Sequence, residues 1–207
     1  MLKAVLPDPA KAGEGSLLKA QLIYPLSEKP TAECHASTIC EISDGLIAAW
    51  FGGSYERHVD VGIWVSFNTK GTWSKPVMVA DGFQHDSLRY PTWNPVLFKP
   101  KGGPLMLFYK VGPNPREWWG MLMTSEDEGR SWSLPKRLGQ SAGIGPLLGP
   151  VKNKPIQLAD GSILCPSSTE VKINDKDKWK VHFEVTKDFG KTWQVIGPID
   201  EGGEFNA

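Results

Sequence analysis

Apolar residues in this chain fall into short runs closed off by Gly, Pro or Asp, and no stretch sustains a helical period. Three groups of runs share one order. The first reads "STICEI" (37–42), Asp44-Gly45, "LIAAWFGG" (46–53), a polar loop and "VGIWVSF" (61–67). The second reads "NPVLF" (94–98), Gly102-Gly103, "PLMLFYK" (104–110), a loop and "WWGMLMTS" (118–125). The third reads "KPIQL" (154–158), Asp160-Gly161, "SILCPSS" (162–168), a loop and "WKVHFEVT" (179–186). Asp-Gly and Gly-Gly between apolar runs are hairpin signals, so each group predicts three antiparallel strands. A fourth run follows in each case, "SKPVMVA", "SLPKRLG" and "QVIGPI", and its prolines suit an edge strand.

A polar motif sits at the same place in every group. "SEDEGRSW" (125–132) and "TKDFGKTW" (186–193) share the form [ST]-x-D-x-G-x-[ST]-W, and "SFNTKGTW" (66–73) is a blurred copy. It falls between the third and fourth strands and reads as a turn. Asp and Ser/Thr bond the turn's own backbone, Gly supplies a positive φ, and Trp folds back between sheets, where Trp132 and Trp193 are expected to be buried. One carboxylate per motif is too few to hold calcium. Four antiparallel strands repeated with this period describe the blades of a β-propeller. The reading is all-β, with blades over about 32–82, 91–140 and 150–200, and a flexible tail over 1–16.

Composition narrows the function classes. Asp plus Glu and Lys plus Arg number 23 each, so no global field points to nucleic acid or an anionic membrane. No apolar run is long enough for a transmembrane helix, and the start lacks a signal core, which predicts a cytoplasmic setting. Three cysteines cannot all pair, and Cys34 and Cys40 on one strand would stand roughly 20 Å apart, beyond disulfide reach. Reduced thiols are expected, and neither a metal nor a cofactor.

The two complete motifs resemble the Asp-box, or bacterial-neuraminidase, repeats of the sialidase superfamily, and the blade pattern covers roughly residues 32 to 199. The resemblance implies a six-bladed propeller, and three blades are about half of the roughly 360 residues that such a ring needs. The chain is therefore expected to be a truncated, inactive form of a larger protein, with self-association of the half-ring. Sialidases hold the sugar carboxylate with three arginines, attack with a Tyr–Glu pair and protonate with an Asp. The first arginine's place holds "CHAS", so His35 or Cys34 stands there. Glu204 lies near the place of the activating Glu.

The strand order collects the starts of the first strands and the loops between strands two and three at one end, opposite the boxes. Asp60 and Glu56 in "SYERHVD" occupy the region of the family's acid, and either could donate a proton if burial raised its pKa. His35, His58, Asn94, Lys110, Lys152, Lys154 and Glu170 are the candidate substrate-binding residues. Trp118 and Trp119 lie beside them as exposed indoles, and polar groups with an apolar platform suit a glycan or small carbohydrate. The expected function is that of a sialidase-like glycoside hydrolase homologue acting on or binding glycans. A non-catalytic glycan-binding or protein-interaction propeller, and a polysaccharide lyase using His35 or His58, are the alternatives.

Overall fold

A computed structural model describes residues 11, 13 and 15–199, so most of the predicted tail and Glu204 lie outside the described residues. Apart from one 3-10 turn at Leu26–Glu28, the regular structure is antiparallel β. The first sheet contains β1 (Glu33–Ile42), β2 (Gly45–Gly53), β3 (Gly62–Thr69) and the short β4 (Thr72–Trp73) and β5 (Val77–Ala80), both paired with β3. A small hairpin, β6 (Phe83–His85) with β7 (Leu88–Arg89), leads to the second sheet. That sheet runs β8 (Thr92–Phe98), β9 (Leu105–Val111), β10 (Trp119–Ser125) and β11 (Lys136–Arg137). After the pair β12 (Gln140–Ser141) and β13 (Gly145–Pro146), the third sheet runs β14 (Ile156–Gln157), β15 (Ile163–Ile173), β16 (Lys176–Thr186) and β17 (Gln194–Ile196). These are three successive blades of a sialidase-like propeller.

The second blade is the middle layer, and the alternation of β9 shows why its sequence is apolar at nearly every position. Leu105, Leu107, Tyr109 and Val111 pack toward the first blade with Ile47, Ala49, Phe51 and Ile63. Met106 and Phe108 point the other way, against Ile163 and Cys165 of the third blade. A strand covered on both faces reads as a continuous apolar run, which is what "LMLFY" is. Each such fully buried Leu or Phe contributes on the order of 1.5–3 kcal/mol. In β15, by contrast, burial alternates over residues 163–168, because only the side toward the second blade is covered among the described residues.

The boxes are turns, as the motif demands. Asp127 accepts hydrogen bonds from Ser125 Oγ (2.8 Å), Ser131 N (2.8 Å) and Ser131 Oγ (2.6 Å). Asp188 accepts the same set from Thr186 and Thr192. Gly190 has φ +89°, and a Cβ there would lie 2.3 Å from Leu122 Cδ2, so the turn is wedged against the second blade. Box and preceding blade are also tied by charge, since Arg130 pairs with Asp44 of the first hairpin at 2.7 Å. Trp132 and Trp193 are half-buried rather than buried, because they pack at the rim of the interblade layers. The first strand of the third blade is also shorter than "KPIQL" predicts. Pro155 offers no N–H, and the Gln157 side chain accepts from the Lys101 backbone N–H instead.

Candidate functional site

The register places the Asp44-Gly45 turn and the boxes at one end of the blades, and the start of β1 with the β2–β3 loop at the other. At that second end a cleft of about 350 Å³ opens between Glu33, Cys34, His35, Phe51 and Glu56. A β-bulge interrupts β1 between His35 and Thr38, with Ala36 at φ +50°. A second bulge stands at the corresponding point of β8, between Trp93 and Val96, where Asn94 takes φ +37°. Bulges re-aim side chains, and here they turn His35 over the cleft rather than along the strand ladder. His35 Nδ1 lies 3.5 Å from Glu56 Oε2, with the two side chains 65% and 48% exposed, and the His35 ring meets Phe51 edge-on. Glu33 accepts the Glu56 backbone N–H at 3.3 Å, so a second carboxylate borders the cleft.

Asp60 does something else. Its Oδ1 accepts Ser54 N (3.0 Å), its Oδ2 accepts Ser54 Oγ (2.5 Å), and His58 Nδ1 stands 2.7 Å away. Burial pushes its pKa up, but the Ser54 and His58 hydrogen bonds outweigh this and hold it down at about 2. The expectation of a raised, proton-donating Asp60 is therefore corrected: a carboxylate gripped by three donors keeps its charge. It works as the knot of the 54–60 loop. Gly53 permits that knot, since a Cβ there would stand 2.5 Å from Asp60 Oδ1. His58 belongs to the same knot and packs against Tyr55 with the two rings tilted.

The remaining predicted residues divide between the site end and the packing. Lys110 is fully buried, and its Nζ donates to the Pro150 carbonyl. It follows Met106 and Phe108 on the side of β9 that faces the third blade. β9 continues through Lys110 to Val111, so Lys110 belongs to the sheet and not to the loop that follows it. Burial depresses its pKa to about 7 against the attraction of Glu184 and Cys165. Glu184 is the centre of a buried polar network: it accepts Leu148 N (2.9 Å), Gly149 N (2.7 Å), Ser167 Oγ (3.2 Å) and faces His182 Nε2 at 3.0 Å. Lys154 reaches across to the Ile39 carbonyl of β1 and ties two blades together, while Lys152 is exposed nearby. Glu170 does not lie in a loop, because residues 167–178 are mostly the paired ends of β15 and β16. Trp118 is 7% exposed and packs on Trp93, and Trp119 is half-buried under Arg137, so neither offers a free platform.

Three residues escaped the sequence reading. Glu33 precedes the "CHAS" segment by one position and could have been found by extending the strand toward its start. His182 and Glu184 sit at alternate positions of "WKVHFEVT", a spacing that shows two polar groups on the same buried face. No cluster of three or more metal-ligating side chains occurs among the described residues.

A model of the BNR repeat-like domain matches residues 44–206. Among solved structures, a protein of unknown function from Dyadobacter fermentans matches with TM-score 0.61 and 15% identity, over 78% of this chain and 53% of that one. A sialidase of Trypanosoma rangeli in complex with sialic acid matches with TM-score 0.59 and 15% identity, over 80% of this chain and 30% of that one. A family 117 glycoside hydrolase of Zobellia galactanivorans matches with TM-score 0.60 and 11% identity, over 83% of this chain and 57% of that one. The chain thus spans between about a third and just over half of these proteins' lengths. At such identities the likeness is one of fold. No curated protein matches the sequence.

Proposed function

Because the chain belongs to the BNR repeat-like domain family, we propose that it forms part of a carbohydrate-handling propeller, with the His35–Glu56 cleft as its sugar subsite. The observation that carries this reading is the pairing of His35 with Glu56 at 3.5 Å above a Phe51 floor, bordered by Glu33. Imidazole and carboxylates offer hydrogen bonds to hydroxyls around an apolar base, the mixture a pyranose ring requires. In a sialidase-like hydrolase homologue, Glu56 is the group left to donate a proton, since Asp60 is held ionised. A histidine in place of the first arginine cannot clamp a carboxylate bidentately, so release of sialic acid itself is expected to be weak or absent.

A second reading, binding without turnover, is favoured by the exposure of His35 and Glu56, because acid catalysis gains from a site closed to water. The test compares wild type, His35→Ala and Glu56→Gln for oligosaccharide binding by calorimetry and for release from fluorogenic glycosides. Hydrolysis predicts that Glu56→Gln loses turnover by roughly 100-fold or more with little change in binding. A binding module shows no turnover and loses affinity in His35→Ala. Unchanged binding in both variants would remove the cleft as the sugar site.

A further inference from the structure

The two ends of the three-blade arc are finished differently. On β2, Ile47, Ala49 and Phe51 pack toward the second blade, so Trp50 points to the far face of the first. There it is buried, with the Tyr24 ring 5.8 Å away between centroids. Tyr24 belongs to the segment 19–32, a strap fastened by Gln21 Nε2, which donates to the Gly71 carbonyl at 3.2 Å, and by the contact of the Tyr24 hydroxyl with Cys34 Sγ at 3.7 Å. The strap covers the first blade's far face and holds two large apolar side chains of its own in solvent, Leu22 (65% exposed) and Leu26 (74%). On the third blade, Ile163 and Cys165 pack toward the second blade, so the alternate residues of β15 point away from it. Directly paired residues share a face, which places Ile156 of β14, Trp179, Val181 and Phe183 of β16, and Ile196 of β17 on that far side. Ile156, Trp179, Val181 and Ile196 are each between 45% and 55% exposed. Ile199, whose N–H donates to the Val181 carbonyl, continues the edge of β16 and is exposed as well. An apolar face crossing the third blade thus stands half in solvent, where the first blade's far face lies under the strap.

We propose that a second copy of this chain covers that face, the strap of each copy lying on the third blade of the other. The middle blade shows what such a face requires, since its two sides are buried against the sheets of its neighbours. The chain spans 53% and 57% of two of the structures it resembles, so its three blades turn through about half a ring and two copies complete one. Strap and open face stand at opposite ends of the arc. A two-fold operation therefore brings each onto its counterpart in the other copy, and the assembly closes instead of growing into a filament. Area favours closure too. A face four strands wide and a few residues tall covers on the order of 400 Å² in projection, half of the roughly 800 Å² per partner of a standard interface. Closing the ring makes two such contacts and reaches that size.

The test is sedimentation equilibrium of the full chain over a wide concentration range. The variants are Val181→Lys/Ile196→Lys on the third blade, Leu22→Glu/Leu26→Glu on the strap, and the control Leu134→Lys, an exposed apolar position between the second box and β11. Wild type and control should sediment at twice the chain mass and dissociate on dilution. Each double variant should dimerise roughly tenfold or more weakly. Mixing the two double variants should restore the dimer, because the mixed pair keeps one wild-type contact and faces lysines with glutamates in the other. That recovery also shows that both variants are folded, since an unfolded partner cannot supply it. A wild type that stays at the chain mass, or one whose mass grows past two copies, overturns the proposal. So does a strap variant that dimerises as wild type while the third-blade variant does not, which would mean that two third blades face each other. A mixture that stays monomeric, or a control as weak as the double variants, overturns it equally.

Discussion

Lys110 offers a direct measurement of the interblade layer. Its ammonium has no exposure, and the Pro150 carbonyl is its hydrogen-bond acceptor among the described residues. Burial, opposed by Glu184 and Cys165, brings its pKa down to about 7. Unfolding returns it to the ordinary lysine value near 10.4. Between these values the unfolded chain holds one more proton than the folded one, so stability rises with pH, by about 1.4 kcal/mol per unit at full effect. Below about 7 both states are protonated and the dependence ends. The Cys165 thiol, pushed up chiefly by burial, has the opposite sign, but only above about pH 8.5, where the unfolded thiol ionises. The useful window is therefore roughly pH 7 to 8.5, across which one lysine proton contributes about 2 kcal/mol. Lys110→Met keeps the length and deletes the charge; it leaves the Pro150 carbonyl without its donor, at about 1–3 kcal/mol, and relieves a buried ion. Urea unfolding at several pH values should show wild type gaining stability across the window and the variant nearly flat. Parallel curves would mean that Lys110 keeps its ordinary pKa, and hence that it reaches water as a site residue would.

Other outcomes follow from the same packing. Glu184→Ala strands the Leu148 and Gly149 amides, Ser167 and His182 in a buried layer and should cost about 3–5 kcal/mol, with Glu184→Gln milder, both read by chemical denaturation. Gly190→Ala forces a Cβ into Leu122 at a positive φ and should lower stability by about 2 kcal/mol or more, whereas Gly102→Ala, with φ +74° and open space around it, should cost about 1 kcal/mol. For Asp60, whose folded pKa lies below the ordinary value, the stabilisation is present above about pH 4 and lost as pH falls toward about 2. The penalty of Asp60→Asn should accordingly be visible at pH near 6 and shrink in acid, and an unchanged penalty at low pH would show that its charge is not what ties the loop.

Much of the blade architecture was readable because each blade repeats the same local instructions. Two complete boxes fix two turns through their own Asp and Ser/Thr bonds, and those turns set the pairing of the strands before them. The third blade's first strand was less readable, because a proline and a glutamine that turns to a neighbouring blade both act beyond the run in which they are written. The paired ends of β15 and β16 were misread as a loop for a related reason. Their polar residues alternate with Val171, Ile173, Trp179 and Val181, and the Asn174-Asp175 turn carries the signal of a tight hairpin without a glycine.

The site was harder to read, and β9 shows the physical cause. In "PLMLFYK" a terminal lysine after an apolar run looks like the first residue of a wet loop. Whether it is wet depends on the parity of one more strand position and on what lies across the sheet. Met106 and Phe108 already point into the layer with the third blade, so extending the strand to Val111 carries Lys110 onto that same face. The partners that make this tolerable, the Pro150 carbonyl and Glu184, stand 40 and 74 residues away along the chain. Local pattern has no access to them. His35 and Glu56 came together in the reading for the opposite reason: the hairpin that joins them is local, and its register follows from one Asp-Gly turn and two adjacent glycines. Groups assembled within a blade are thus legible from pattern, whereas groups assembled between blades depend on packing that no single blade encodes.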